Sequence, residues 1–505
     1  MRRSKKSLYN LIFGVGNQLV VLCVGLIVPK FFIMSYGSEI NGLQSSIAYI
    51  YTYIALLEAG IGTATLQALF GTLGRENKEE TNAILSATNI QYKKIAMMYA
   101  VCMLIFAFVY PNTITTSINK VTISLMVLLS GVSSLLSFLF CGKFVVLLQA
   151  DGRSYIVSFI GLVNYLLMNT IKIVFIIKGY SIISIYIGAA LVSFAVVIFY
   201  YFYRRKYYNW VSYQEKPKME AIAQSKNVLV HQIANIVCNS TDVLVLTYVA
   251  RDLKLVSIYN LYIMVFDAVK SIIANIFSSV QFIMGQTYNK DIELYRKYHQ
   301  IYEVCDFAVS FSLYSTAYVL VLPFMKIYTK GIQDINYIDP YLPLLFVTVK
   351  LLTSAREPAA LVINYAGHFK KTQNRAVIET IINVIVSIVG VYFCGIYGVL
   401  IGTIVALLYR TIDMYLYSSR RFLKRSPWQS IKQWGVYLLG FLIVAHIFSI
   451  IKIEPRGYIE FFGIAILVCV GISMFYIVYT FIFNYRIVWP VTKQVVRKLK
   501  EKRGV

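Results

Sequence analysis

Apolar runs of about 20 residues or more alternate with short polar connectors from Leu11 almost to the end of the chain. A helix rises 1.5 Å per residue, so roughly 20 apolar residues cross a hydrocarbon core of about 30 Å. The pattern predicts about fourteen transmembrane helices, beginning with Leu11–Met34 and Ile40–Phe70 and ending with Trp434–Ile451 and Tyr458–Tyr485. The second run and the eighth, Leu255–Met284, are longer than a span needs, which predicts tilt or overhang. The longest connectors lie near Gly71–Ile90, Arg204–Asn227 and Thr329–Pro340. None is long enough to fold as a catalytic domain. The expectation is an all-α polytopic membrane protein, not an enzyme, whose function sits among its helices.

Composition agrees. Hydrophobic residues make up 58% of the chain and charged residues only 14%, against roughly 25% charged in a soluble protein. The net charge of +25 would suit nucleic acid, but the distribution of the charges argues against it. With the N-terminus placed in the cytoplasm, 33 of the 48 lysines and arginines fall on cytoplasmic ends and connectors and 8 on external ones. That asymmetry puts both termini inside and calls for an even number of spans. Trp210, Trp428, Trp434 and Trp489 flank the same cytoplasmic ends, as an interfacial belt does. The charge therefore reads as topology and contact with anionic lipid rather than nucleic acid. Met1–Lys6 is basic and leads into a full span, so it reads as the start of the first helix rather than a cleaved signal. The seven cysteines lie mostly inside apolar runs without a C-x-x-C pair, and read as packing residues rather than disulfides or metal ligands.

Two stretches repeat at an offset near 215 residues. Gln149-Ala150-Asp151-Gly152 is followed by two spans with a turn at Gly179, then by Gly188 and Arg204-Arg205. Asn364-Tyr365-Ala366-Gly367 is followed by two spans with a turn at Gly395, then by Gly402 and Arg420-Arg421. The repeat divides the chain into an N-terminal six-helix bundle (1–210), a cytoplasmic linker (211–227), a C-terminal six-helix bundle (228–420) and two appended helices with a basic tail (421–505). Parallel repeats of this kind are a mark of alternating-access transporters.

Seven cations fall within predicted spans: Lys30, Lys143, Lys172, Lys270, Lys350, Arg356 and Arg410. Such charge costs about 2.5–3.5 kcal/mol at a helix centre and usually faces a cavity. Lys172 and Arg410 lie near helix ends and can snorkel, and Arg410 can pair with Asp413 one turn on. Lys30 and Lys143 fit either a cavity or an interface. Lys270, Lys350 and Arg356 lie too deep to snorkel and read as cavity-lining, or as buried ion pairs, of which Asp267–Lys270 is the first to expect. Among the span acids, Glu58 stands in Leu56-Leu57-Glu58-Ala59-Gly60-Ile61-Gly62, beside two glycines that permit bending. Glu58, Asp267, Asp242 and Glu357 are candidates for a gate or an ion-coupling site, or for helix–helix hydrogen bonds. Cations in both bundles suit an anionic cargo such as a pyrophosphate. The 41 tyrosines and 31 phenylalanines belong mostly to belts and packing, and can also stack on sugar rings.

The start Ser7-Leu8-Tyr9-Asn10, the turn Ser35-Tyr36-Gly37-Ser38-Glu39-Ile40-Asn41-Gly42-Leu43, the segment Leu56–Ala64 and the loop Gln149–Gly152 carry a resemblance to the Wzx-type polysaccharide repeat-unit flippases of the multidrug/oligosaccharidyl-lipid/polysaccharide (MOP) exporter superfamily. The resemblance implies a V-shaped, MATE-like pair of bundles plus two C-terminal helices. It implies a cargo of polyprenyl-pyrophosphate-linked oligosaccharide, flipped from the cytoplasmic to the outer leaflet through a cationic cavity. It also implies a bacterial plasma membrane and company with a polysaccharide polymerase and glycosyltransferases. No cofactor is called for beyond an H⁺ or Na⁺ coupling ion. The competing readings are a multidrug exporter of the same superfamily, expected to have twelve helices and an acidic cavity, and a membrane polymerase, expected to carry a large external loop.

Overall fold

The computed structural model describes the backbone of residues 3–222 and 226–503. It describes their side chains except those of 3–20, 22, 23, 226–232, 234, 235, 238, 239, 279, 282, 369, 370, 491, 492 and 494–503. The Ser7–Asn10 motif, the first half of the seventh predicted span and most of the basic tail therefore lie outside the described side chains.

Among the described residues every regular element is helical. The chain forms two compact units, Met1–Ser257 and Ile258–Val505. The first contains α1 (Arg3–Ile54), α2 (Ile61–Gly74), α3 (Lys78–Thr113), α4 (Lys120–Leu136), α5 (Gly142–Ala150), α6 (Ser154–Ile177), α7 (Ile182–Tyr207) and α8 (Lys226–Tyr248). Then α9 (Leu253–Lys290) leads into the second unit, followed by α10 (Ile292–Tyr328), α11 (Leu342–Tyr365), α12 (Phe369–Cys394), α13 (Ile396–Ser418), α14 (Pro427–Ile450) and α15 (Tyr458–Arg503). By packing, α8 belongs with the first unit, where it lies against α1. By the sequence repeat it heads the second bundle. Packing and repetition are different properties, and here their boundaries differ.

Ten helical stretches are long and apolar enough to cross a membrane alone, and Val24–Glu58 with Ile61–Gly74, bent by 42°, makes an eleventh candidate. Fourteen spans are expected from the sequence. Part of the difference is physical: Lys350, Arg356 and Glu357 interrupt the apolar run of α11. The rest arises where α1 merges two predicted spans across a kink at Gly37 (φ 86°) and where much of α8 is not described. The outer faces carry large apolar side chains in the open, such as Ile459 at 92%, Phe393 at 83% and Phe108 at 79% exposure. Surfaces of that kind face lipid rather than water.

The first unit packs Phe32, Leu43, Ile47, Tyr110, Met126 and Ile185 into one core and Leu69, Leu85, Phe144, Leu147 and Tyr200 into another. The connector after α7 is held to α3: the Asn82 amide donates to the Trp210 carbonyl, and the Lys218 N–H donates to the Ala83 carbonyl. In the second unit α14 and α15 pack on α10 through aromatic rings. Tyr437 stacks on Phe311 and on Tyr476, and it shares a 3.0 Å hydrogen bond with Thr480.

The repeat is visible in backbone geometry inside each unit. Gly152 (φ 71°) and Gly367 (φ 65°) both terminate a helix in the left-handed region, each donating to the carbonyl three residues back, Gln149 and Asn364. Gly179 (φ 69°) and Gly395 (φ 54°) make the turns between the paired spans. At Gly188 a Cβ would meet Ile171 of the preceding helix, and at Gly402 it would meet Ser387. Both glycines thus mark a close helix crossing, as small residues do in membranes.

Candidate functional site

The second predicted span is broken. After Ile54 the chain makes a 3₁₀ turn, Ala55–Glu58, then passes through Ala59 (ψ 119°) and Gly60 (φ 85°) into α2. Only glycine takes the Gly60 conformation without strain. The Gly60 carbonyl opens α2 by accepting from the Ala64 N–H at 2.9 Å, and it also accepts from the Thr63 hydroxyl at 2.8 Å. Irregular backbone at membrane depth is tolerated where it lines a cavity, and a cavity of about 620 Å³ lies here, lined by Thr52, Glu58, Tyr92, Phe138, Gly142 and Gln149 among others.

Glu58 sits at the break and accepts a 2.8 Å hydrogen bond from the Tyr92 hydroxyl. Gly62 makes room for it, since a Cβ there would stand 3.0 Å from Glu58 Oε1. A second irregularity borders the same cavity, the π-helical turn Ser137–Cys141 between α4 and α5. It is followed by Gly142, where a Cβ would meet the Tyr92 ring at 2.7 Å. Two irregular helices therefore converge on one carboxylate, a pattern common at functional sites. An apolar, aromatic-walled cavity with a single carboxylate and several hydroxyls can hold a proton or a cationic group, or bind sugar hydroxyls.

The structure places the predicted cations in several settings. In the first unit Lys30 follows Pro29 in α1. Lys143 donates to Asn89 Oδ1 at 2.6 Å and to the Leu139 carbonyl, and lies 4.9 Å from the centre of the Tyr213 ring. Arg204 stands 5.5 Å from the centre of the same Tyr213 ring and lines a cavity of about 210 Å³ with Lys143. In the second unit Lys350 pairs with Asp267 at 2.6 Å. The expected Asp267–Lys270 pair does not form, because Lys350 reaches the carboxylate from α11 while Lys270 points to the exposed face of α9. Arg356 pairs with Glu379 at 2.6 Å, and Glu379 also meets Arg410 at 3.3 Å. Arg410 reaches Asp413 at 3.1 Å, as expected from their spacing, and Asp413 holds Arg375 at 2.6 Å. Three arginines thus share two carboxylates across α11, α12 and α13. The arginine group keeps one positive charge in excess. The Lys350–Asp267 pair is balanced, one cation to one acid, and Lys270 stands apart from it.

Of the other candidate acids, Asp242 is buried in α8, and Glu357 on α11 faces Asp306 of α10 as a like charge. Besides Glu379, the span acids that sequence reasoning did not single out as candidates are Glu303 and Asp306, both buried on α10. Their spacing of three residues puts them on one helix face, which was a legible signal. Glu303 bonds Arg425, a residue read from sequence as part of a basic connector. The turn Ser35–Leu43 has structural work. The Tyr36 hydroxyl donates to the Tyr180 carbonyl, Glu39 accepts three bonds from Thr116 and Ser117, and the Asn41 amide donates to Ser257 Oγ. Gly42 lets α1 approach the backbone of Leu253, where a Cβ would lie 1.7 Å from the carbonyl oxygen.

A bundle of apolar helices with broken spans, paired repeats and charged groups among its helices describes a multi-pass membrane protein. By sequence, no family model and no curated protein matches the chain. By structure it is similar to "Lipid II flippase MurJ, inward closed conformation", with a TM-score of 0.66 and 16% identity over 95% of this chain and 100% of that one. It is similar to an inward-facing multidrug resistance MATE family transporter of the MOP superfamily, with a TM-score of 0.61 and 15% identity over 80% of this chain and 95% of that one. It is also similar to a MOP superfamily transporter from Pyrococcus furiosus, with a TM-score of 0.53 and 14% identity over 84% of this chain and 97% of that one. The chain has the fold of MOP superfamily transporters.

Proposed function

We propose that this chain is a flippase that carries a polyprenyl-pyrophosphate-linked oligosaccharide from the cytoplasmic to the outer leaflet of a bacterial plasma membrane, supplying polysaccharide assembly. The observation that carries the reading is the extent of the structural likeness. The lipid II flippase is matched over 95% of this chain and the MATE transporter over 80%. The difference is about the size of the stretch occupied by α14 and α15, so the appended helices favour the flippase over the drug exporter. The arginine group around Arg356–Glu379–Arg410 keeps a net positive charge and Lys270 adds an exposed cation, which together suit a pyrophosphate. In this reading Lys270, the exposed member, meets cargo, while Lys350 and Arg356 hold their helices and bias the field. Lys30 and Lys143 complete the cationic set, with Lys143 and Arg204 placed for anionic headgroups at the cytoplasmic interface. The coupling ion is H⁺ or Na⁺, and the polymerase and glycosyltransferases that consume and supply the cargo are the expected partners.

One observation favours a second reading. The Glu58–Tyr92 cavity offers a carboxylate and an aromatic face, the combination that an organic cation prefers. The test is the full chain in proteoliposomes with a fluorescent polyprenyl-pyrophosphate oligosaccharide, with and without an inside-negative potential. Potential-stimulated loss of label from the starting leaflet supports the flippase. Uptake of an organic cation with no flipping by the same well-folded preparation supports the exporter.

A further inference from the structure

Two buried carboxylates, a third that is partly buried, and one guanidinium stand together in the second unit, and their charges do not cancel. Glu303 is 0% and Asp306 3% exposed, one turn apart on α10. Glu357 on α11 and Glu303 both act on Asp306 as like charges. Arg425 bonds Glu303 Oε2 and Ser430 Oγ. That leaves Glu303 Oε1 and Asp306 Oδ2 buried without a hydrogen-bond partner. A second observation comes from a different residue type. His299, 1% exposed and one turn before Glu303, is engaged through Nε2 with the Pro358 carbonyl at 2.8 Å. The carbonyl can only accept, so Nε2 is the protonated nitrogen and Nδ1 of the neutral ring is a bare acceptor. Nδ1 too is buried with no partner.

The remaining groups that act on Asp306 or are acted on by it supply no cation. They are Tyr302, Cys305 and Tyr314 on α10, Glu357 on α11 and Tyr415 on α13. An enclosed carboxylate with a like charge on either side and no donor of its own cannot remain ionised at ordinary cost. It must take up a cation, and a proton is the cation that needs no coordination shell. No grouping of histidine, cysteine, aspartate and glutamate with the geometry to hold a metal ion occurs among the described residues.

We propose that Asp306 is the proton-carrying group of this chain, with Glu357 as its exchange partner and the Glu303–Arg425 pair and His299 as its fixed electrostatic surround. The coupling role rests on the transporter reading; the proton site itself does not. The proton bound at Asp306 removes one of the two uncompensated negative charges of the cluster. Its departure through Glu357, the least buried of the three acids, restores that charge and destabilises the enclosed state. Binding and release of one proton thereby bias the second unit between packings.

The first measurement needs no cargo. Infrared spectroscopy of the full chain in lipid, at neutral pH and without sodium, is expected to show a protonated-carboxyl band that vanishes in Asp306→Asn and survives in Glu58→Gln. Absence of any such band in the unsubstituted chain overturns the proposal even if the variant fails to fold. So does a band that persists unchanged in folded Asp306→Asn, or one that sodium displaces at constant pH. The second measurement is flipping of the fluorescent lipid-linked oligosaccharide under an imposed proton gradient. The gradient is expected to change the rate several-fold in the unsubstituted chain and to have no effect in Asp306→Asn; an equal gradient response in the variant overturns the coupling. If the unsubstituted chain flips nothing, the flippase reading fails while the infrared result still decides the proton site.

Discussion

Arg410 shows how a charge in a membrane helix can be structural. Its side chain is 5% exposed and lies between Glu379 and Asp413, themselves 9% and 17% exposed. Removing it leaves Glu379 with Arg356 and Asp413 with Arg375, but takes away the guanidinium that bridges the two pairs and empties its buried site. Loss of a hydrogen bond to a charged group typically costs about 1.5–3 kcal/mol. Arg410→Ala is therefore expected to lower the melting temperature of the purified protein sharply, whereas Lys326→Ala, which breaks the exposed contact with Glu454, is expected to cost about 0–1 kcal/mol. A thermal melt of both variants in the same detergent checks this, and equal midpoints would refute the structural role. The same residues mark the reach of sequence reasoning. The Arg410–Asp413 pair is legible because three residues make one helical turn. Arg356–Glu379 and Lys350–Asp267 are separated by 23 and 83 positions, and only the packing of α11 against its neighbours brings them together. The sequence places these charges within apolar runs, but their partners emerge only from helix packing.

At the scale of elements, glycine sets how closely helices approach. In the α12–α13 hairpin a Cβ on Gly398 would stand 2.1 Å from the carbonyl carbon of Gly390, and one on Gly390 would lie 2.9 Å from the Gly398 backbone. Backbone cannot swing aside as a side chain can, so Gly398→Ala must push the helices apart. Overpacking of this kind costs about 1–3 kcal/mol. Gly463 in α15 has nothing within 4 Å of its missing Cβ, and Gly463→Ala is expected to be neutral or to add up to about 1 kcal/mol through helix propensity. Melting midpoints that move in opposite directions, or down for Gly398→Ala alone, bear out the close crossing. An unchanged midpoint in Gly398→Ala would mean that the hairpin is looser than it stands here. The offset of glycines along the chain made this hairpin and its counterpart α6–α7 legible in advance. The break at Glu58 was half legible: Gly60 and Gly62 announced a bend, but Tyr92 and the π-helical turn that close the cavity come from α3 and the α4–α5 junction, with no local signature.

For the whole molecule, the distribution of cations makes a claim about direction. Orientation in a membrane is set chiefly by lysines and arginines in short connectors, which resist translocation. Gln214 and Ser426 lie in connectors rich in such residues, and Thr115 and Asn336 in connectors nearly free of them. In a background with the native cysteines replaced, Gln214→Cys and Ser426→Cys are expected to react with an impermeant maleimide only after the cells are opened. Thr115→Cys and Asn336→Cys are expected to react in intact cells. The reverse pattern would invert the molecule and with it the proposed function. An inside-negative potential favours outward movement of a negative charge by about 2.3 kcal/mol per 100 mV. An anionic cargo is therefore driven outward only if it is loaded from the face bearing the basic connectors. Lys143 and Arg204, which flank Tyr213 next to that basic stretch, would then meet the headgroup before it enters the bundle. Labelling from the wrong side would leave those residues facing the compartment in which no such cargo is made.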